Sequence, residues 1–578
     1  MKRMYGCKAA VTAVLVLILF SALIADEKTA NVDQLFAQWR KPHSPGCALA
    51  VIQNGEIVYK QGYGMASLEH SISISSTSVF YIGSCSKQFV AMCIALLSTE
   101  GKLSLDDDIR RFMPEMPDYG TPITIRHLIH HTSGLRDYLA LLGIAGIDYG
   151  SYHQDDVLEL ISRQQELNFK PGEEYLYSNS GYFLLAVIVE RASLKSLREY
   201  AEEKIFKPLG MKNSRFHDDY TELIQNRAFG YFPRGKDEYK NFISTFDCVG
   251  SGGLFTSVED LFLWDQNFLH HRVGGREVVE LMHTKGILNN GQELDYAFGL
   301  RISSYKGLKT IDHSGALGGY RCYMVRFPEQ YFSVICLSNL SSFNPTGLSR
   351  QVAEIYLADD FEKAKQEIQP LEEDRAGTAR GIKISGTKLK ERAGDYIDAH
   401  SGEVIKVFLK NARLNALMSG QSYALAARSE AEFFLLDVPV EVVLKFERKE
   451  KGMPFFLHVL QEREPPRIFQ SFKPVKLSPE QLEDYEGEYF SEELQVTFKI
   501  SLKEGGLHFS HKNAPRGLLN PSLQDKFTLR NLKMHFIRDE EKEIAAFTLD
   551  AGRVKNLRFE KKRVDRPQSF KDVRKKTV

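Results

Sequence analysis

The apolar and polar positions along the chain fall into successive textures, and each predicts a different kind of element. Cys47 to Ile52 are all apolar, Asn54-Gly55 interrupts, and Ile57-Val58-Tyr59 follows, which predicts a hairpin with a two-residue turn. Phe89 to Leu97 is apolar nearly all round and stops near Gly101, the pattern of a buried helix with a glycine terminator; Ser84 stands at its start. From Leu105 to about Met282 the signals are mainly helical, broken by loops. They include a helix and loop over Ile123–Leu135, and a loop over Tyr175–Gly181 that leads into the apolar run Tyr182–Val189. Strand patterns return after Tyr296, at Phe298–Ile302, Leu308–Ile311, Tyr320–Val325 and Phe332–Leu337, and an amphipathic helix over Gly347–Leu357 closes the unit. Strands at both ends with helices between them predict an α/β (α+β) domain over residues 34–360. In it one antiparallel sheet is completed by both ends of the domain and a helical insert lies between.

The texture changes again beyond it. Residues 361–388 are charged, weakly periodic and interrupted by Pro370, Gly377, Gly381 and Gly386, and read as a linker. After that the chain repeats itself: Leu389, Gly394 and Tyr396 recur as Leu482, Gly487 and Tyr489, and Glu432–Leu435 recurs as Lys526–Leu529. Each copy holds more than eighty residues of short alternating strands, enough for roughly eight strands at the usual spacing. Two small antiparallel β-barrels are therefore predicted, over 389–475 and 476–563, with a basic, solvated tail over 564–578.

Composition adds little to this picture. The chain of 578 residues is 43% hydrophobic and 26% charged, and its 75 basic residues balance 75 acidic ones, so no overall charge points to nucleic acid. Residues 1–25 differ: Lys2, Arg3 and Lys8 precede an apolar run to Ala25, which Asp26-Glu27-Lys28 ends. This reads as an export signal, implying a periplasmic or secreted protein, with membrane anchoring as the alternative if the signal stays uncleaved. The six later cysteines show no metal spacing and read as buried thiols, with Cys322 and Cys336 as the pair to watch for a disulfide. His127, His130 and His131 read as the polar end of a helix rather than as metal ligands, and no metal is expected.

The chemistry begins at Ser84-Cys85-Ser86-Lys87. A serine at a helix start lies beside unpaired N–H groups, and a lysine one turn on can exchange a proton with it. Ser-x-x-Lys recurs at Ser303–Lys306 and Ser385–Lys388, but neither opens an apolar helix. Tyr177 and Asn179, two apart in a loop, project the same way. A tyrosinate can take a proton, and an amide can orient a carbonyl. Asp312-His313-Ser314-Gly315 lies between two strands; His-Ser-Gly has a decoy at His400-Ser401-Gly402, so context decides between them.

Ser84-x-x-Lys87, Tyr177-Ser178-Asn179 and His313-Ser314-Gly315, in this order and in these contexts, resemble the serine β-lactamase and penicillin-binding protein superfamily. The branch is the one related to class C β-lactamases, with its D-aminopeptidases and esterases. Arg126-His127-Leu128 through Leu135, Pro208–Met211 and Ser251-Gly252-Gly253-Leu254 are similar to it as well. The resemblance implies a β-lactamase-like catalytic domain acting through an acyl-enzyme, without metal or organic cofactor. Ser84 would be the nucleophile, and Lys87 and Tyr177 would share the proton work. Asn179, His313 and Gly315 would face the substrate, and the backbone N–H groups of Ser84 and Ala316 would form the oxyanion hole. The implied substrate is a small peptide, amide or ester, with cell-wall fragments among the candidates, so a D-amino-acid peptidase, amidase or esterase leads. A class C-type β-lactamase or DD-carboxypeptidase is the alternative within enzymes, and a non-catalytic peptide or cell-wall binding protein the alternative outside them. The departure is His313, where β-lactamases usually carry a lysine.

Overall fold

The computed structural model describes residues 27–562, except 148–149, 151, 244, 373–381, 383, 399–401, 419–420, 437–441, 449, 451–452, 462–465 and 512–516. The export signal, the basic tail and the second His-Ser-Gly at His400 lie outside the described residues. The chain divides into two compact units: residues 1–138, 148–162 and 169–370 form one, and 139–147, 163–168 and 371–578 the other.

The first unit is built on one six-stranded antiparallel sheet. Its strands are β1 (Cys47–Gln53), β2 (Glu56–Tyr63), β3 (Arg301–Tyr305), β4 (Leu308–Leu317), β5 (Tyr320–Phe327) and β6 (Phe332–Ser338), in the spatial order β3-β4-β5-β6-β1-β2. The early hairpin thus completes a sheet whose other four strands arrive some 240 residues later, from Arg301 on, as the apolar pattern predicts. Asn54 and Gly55 both take positive φ, 53° and 81°, which suits a tight hairpin turn. One face of the sheet buries Leu49, Val51, Val325 and Val334 against Val32, Phe36, Phe343 and Val352, the last from the helix Pro345–Tyr356. The other face carries the helical insert. There Val258–His270 packs on β1 and β6, and Asp265 of that helix accepts a hydrogen bond from Ser333 Oγ of β6.

Two elements differ from the sequence pattern. β3 starts at Arg301 rather than Phe298, because Gly299, at φ 67°, turns the chain so tightly against Lys87 and Gln88 that a Cβ there would lie 2.5 Å from the Gln88 nitrogen. β4 runs on to Leu317, so His313, Ser314 and Gly315 sit within a strand instead of a loop between strands. In addition, a helix, Ala358–Glu372, reaches into the segment expected to be linker.

In the second unit, eight strands from Gly394–Ile397 to Arg467–Phe472 form a closed antiparallel barrel, sealed by the pairing of Tyr396 with Ser471. Its interior is filled by Tyr396, Ile405, Phe433, Phe446 and Phe469 among others. The second set of strands forms a nine-stranded antiparallel sheet, not a fully closed barrel. Its two edges, Gly517–Leu518 and Asn520–Leu523, are separated in sequence by Leu519 alone, and Pro521 on one edge has no N–H to offer a neighbour. The internal repeat is visible in side chains. Tyr396 donates to Arg392 O at 2.8 Å and Tyr489 to Tyr485 O at 2.9 Å, the same four-residue reach back at the same corner.

Candidate active site

The nucleophile candidate sits on a 3₁₀ turn, Gly83–Ser86, that feeds α1 (Lys87–Thr99). α1 is buried almost all round, so Lys87 at its first position is fully shielded from solvent. A charged lysine held there needs every N–H bonded. Its Nζ donates to Ser251 O at 2.6 Å, to Asn179 Oδ1 at 2.9 Å and to Ser84 Oγ at 3.1 Å. Three acceptors match the three donors of an ammonium. The Nζ also lies 4.9 Å from the centre of the Tyr177 ring and 5.5 Å from that of Tyr182.

Asn179 opens α2 (Asn179–Ser193), whose capping residue, Ser178, makes no side-chain cap. Asp137 does that work from a distant loop: its Oδ2 accepts from the Asn179 backbone N–H at 2.7 Å and from Asn179 Nδ2 at 2.9 Å. A carboxylate at a helix N-terminus is electrostatically favoured, and here it also fixes the amide so that Oδ1 faces Lys87. Asn179 was expected to face substrate; in the structure its amide oxygen serves the lysine.

The loop bearing Tyr177 is held by His131. His131 has φ 58°, a left-handed conformation uncommon outside glycine. Its carbonyl accepts from Leu176 N at 2.9 Å and its Nδ1 accepts from Ser178 N at 3.1 Å, so both neighbours of Tyr177 are tied to one residue. The imidazole lies against the Tyr177 ring at 4.2 Å between centroids and against Tyr296 at 4.6 Å. Of the three histidines of the helix end, His131 therefore has a site of its own. His127 closes a capping box with Thr124, and burial pushes His130 down to about 4.

His313 is 7% exposed, and both of its ring nitrogens are committed. Nδ1 lies 2.6 Å from Ser314 O; a carbonyl only accepts, so Nδ1 carries the proton. Nε2 then accepts from the Tyr296 hydroxyl at 3.0 Å. Burial, followed by the charge of Lys87, lowers His313 to about 3, so the ring is neutral throughout the neutral range. The imidazole is therefore uncharged around neutral pH, and each of its nitrogens has a hydrogen-bond partner within the protein. Burial raises Tyr296 and Tyr182 well above their ordinary values, so both remain phenols.

β3 pairs with β4 only as far as Asp312, leaving the His313–Leu317 stretch of β4 without a strand on that edge. The nucleophile turn occupies the gap. A Cβ on Gly83, which has φ 52°, would lie 2.6 Å from Ala316 N, and one on Gly315 would lie 1.9 Å from Ile82 O. Glycine is required at both places, because backbone approaches backbone. Every second N–H of an antiparallel strand points away from its partner, and this is the edge on which Ala316 meets the turn of Ser84. The structure thus brings Ser84, Lys87, Tyr177, Asn179, His313, Gly315 and Ala316 into one place. Sequence reasoning missed Asp137, His131 and Tyr296 as parts of it; Ser251 was noted only within a family-like segment.

A serine bound to a buried lysine, under a tyrosine and beside a strand edge, defines a serine hydrolase of the acyl-transfer class. The comparisons place it more closely. Residues 32–357 match the Beta-lactamase family, and the chain belongs to that family. It is 31% identical over 439 residues to "Penicillin-binding protein 4*" of Bacillus subtilis (strain 168), covering 72% of this chain and 93% of that protein. It is 27% identical to a D-aminopeptidase of Gluconobacter oxydans (strain 621H), over 56% of this chain and 61% of that protein. Among solved structures, the octameric penicillin-binding protein homologue from Pyrococcus abyssi superimposes with TM-score 0.53 at 25% identity, over 77% of this chain and 99% of that one.

Proposed function

We propose that this serine hydrolase is an exported D-amino-acid amidase or peptidase, with esterase activity, acting through an acyl-enzyme on Ser84. One observation carries the reading: Lys87 bonded at once to Ser84 Oγ, Asn179 Oδ1 and Ser251 O, with the Tyr177 ring over it. With its three N–H bonds directed at three acceptors, Lys87 works as a fixed cation. Tyr177, beside that cation, is the proton acceptor: it takes the Ser84 hydroxyl proton as Oγ attacks the carbonyl and returns it to the departing amine or alcohol. The backbone N–H groups of Ser84 and Ala316 receive the oxyanion. The second Nδ2 hydrogen of Asn179 is the group available to the acyl side. Water repeats the sequence to free the acid.

The neutral His313 supports the choice of substrate. A neutral imidazole with both nitrogens committed makes no ion pair with a carboxylate, so uncharged amides and esters of D-residues fit better than substrates that carry a carboxylate near the scissile bond. The D-aminopeptidase relatives support the same choice, and a cell-wall origin of the peptide belongs to this proposal, as does export. The match to the penicillin-binding protein of Bacillus subtilis over most of both chains favours a second reading, in which penicillin acylates Ser84. The test is a fluorophosphonate adduct mapped by mass spectrometry, together with kcat/KM for a neutral D-amino-acid amide, its carboxylate-bearing analogue and benzylpenicillin. An adduct elsewhere than Ser84 refutes the site, and fastest hydrolysis of the penicillin refutes the ranking.

A further inference from the structure

Cys85 follows the nucleophile directly in the 3₁₀ turn, and Cys322 lies on β5 opposite Gly315. Their sulfurs are 2.9 Å apart. Cys85 Sγ donates to His313 O at 3.1 Å, and Cys322 Sγ is 2.9 Å from Ile82 O. The two thiols therefore stand behind the junction at which the nucleophile turn meets β4, each bonded to a carbonyl on the far side of it. The pair singled out from sequence, Cys322 and Cys336, is not in this position. Cys322 faces Leu337 and Cys336 faces Tyr323, one step out of register, so their side chains leave opposite faces of the sheet and no bridge joins them. Cys336 lies instead in the cluster with Cys47 on the face away from Ser84.

We propose that Cys85 and Cys322 are a modification site, at which a peroxide installs a reversible disulfide that clamps the nucleophile turn to the sheet and slows acyl transfer. One thiol is oxidised by the peroxide to a sulfenic acid with release of one water. The other sulfur then attacks it, forming the S–S bond and releasing a second water, so that one peroxide and two thiols give a disulfide and two waters. Bridging draws the sulfurs together by about 0.9 Å, to the S–S bond length. It also removes both S–H donors, leaving Ile82 O and His313 O without them, on either side of the oxyanion hole. A shift of that order at reacting groups costs on the order of 10²-fold in rate. The thiols are 1% and 2% exposed, so a small neutral oxidant reaches them where a bulky aromatic disulfide reagent does not.

The experiment treats the full-length folded protein with hydrogen peroxide, maps the bridge by non-reducing peptide mass spectrometry, and follows hydrolysis of a small activated ester before and after dithiothreitol. The expected result is a Cys85–Cys322 bridge, a loss of rate of at least about tenfold, recovery on reduction, and no loss under the same treatment in Cys322→Ser. Intact thiols, a Cys47–Cys336 bridge in its place, a bridge without loss of rate, or equal loss in Cys322→Ser overturns the proposal. Mapping is done on the unsubstituted chain and so does not depend on how the variant folds. The rate readout rests on Ser84 as nucleophile. A mapped bridge in a protein that a fluorophosphonate fails to label counts against that reading and not against the modification site.

Discussion

Replacing Tyr296 by phenylalanine separates a positioning role in the site from mere packing. The hydroxyl donates to His313 Nε2 at 3.0 Å, while the ring touches His131 and, edge-on, Tyr177 at 6.2 Å. Phenylalanine keeps the ring contacts and deletes the hydroxyl, which also meets the Tyr182 hydroxyl. Tyr296 is 4% and His313 7% exposed, so the abandoned imidazole nitrogen is left in a dry site. An unsatisfied buried acceptor costs about 1–3 kcal/mol. Urea unfolding should register that loss, and if it falls on the transition state as well, kcat/KM drops by roughly 5- to 150-fold.

The variant also makes a prediction about pH. The Tyr296 donor favours the neutral ring, so its removal should raise the His313 value from about 3 and move the acid limb of the pH–rate profile upward. Tyr396→Phe is the control, since its buried hydroxyl donates to Arg392 O at 2.8 Å within the barrel. It should lower stability without moving that limb. A folded Tyr296→Phe protein with an unmoved acid limb and a rate within about twofold of wild type, less than the loss of one buried hydrogen bond, would refute the reasoning.

Lys87→Ala and Tyr177→Phe should each lower the acylation rate by about 10²–10⁴-fold with the fold intact, as read by single-turnover kinetics; near-normal rates in Tyr177→Phe would remove the tyrosine from the mechanism. Asp137→Asn should cost about 1.5–3 kcal/mol of transition-state stabilisation, seen in kcat rather than KM, because it weakens two bonds to Asn179. Gly315→Ala should abolish turnover, since its Cβ would lie 1.9 Å from Ile82 O, and a crystal structure of the variant should show the nucleophile turn displaced. Buried His313, His130 and His283 are lowered to about 3, 4 and 3 from the ordinary 6.5. Between those values the unfolded chain binds protons that the folded one refuses, so stability is full above pH 6.5 and falls as pH drops towards 3. The fall is about 1.4 kcal/mol per pH unit for each ring; a urea midpoint that stays flat from pH 6.5 to 5 contradicts it.

Much of this was legible because the apolar periodicity is strong where the site needs rigidity. The all-round apolar run after Ser84 could only be a buried helix, and that alone gave Lys87 its seclusion. The strand patterns at both ends of the domain likewise contained the sheet. What escaped were the residues that act on others across long loops. Tyr296 lies between element signals, in a stretch that turns at Gly299, and nothing local says that it reaches His313. Asp137 follows a Ser-Gly loop and serves a helix that starts 42 residues later. His131 is conspicuous in sequence, but its use depends on a left-handed backbone that the residue type does not advertise. The behaviour of His313 depended on neighbours too: composition supplied an ordinary imidazole, while burial and the charge of Lys87 made it a neutral one around neutral pH.

The interleaved sheet has a consequence for synthesis. Ser84 is made early, but Cys85 finds its hydrogen-bond acceptor in His313, 228 residues further on, and β1 finds its β6 partner only when Ser338 exists. At about 5–20 residues per second, the ribosome holds Ser84 for roughly ten to fifty seconds before the strand that would receive its oxyanion has been made. Contacts this distant in sequence also close slowly, because the intervening loop must first be ordered. On the proposed mechanism the nascent chain is hydrolytically silent until most of the domain has emerged, and activity is a late event of folding that comes with the finished sheet.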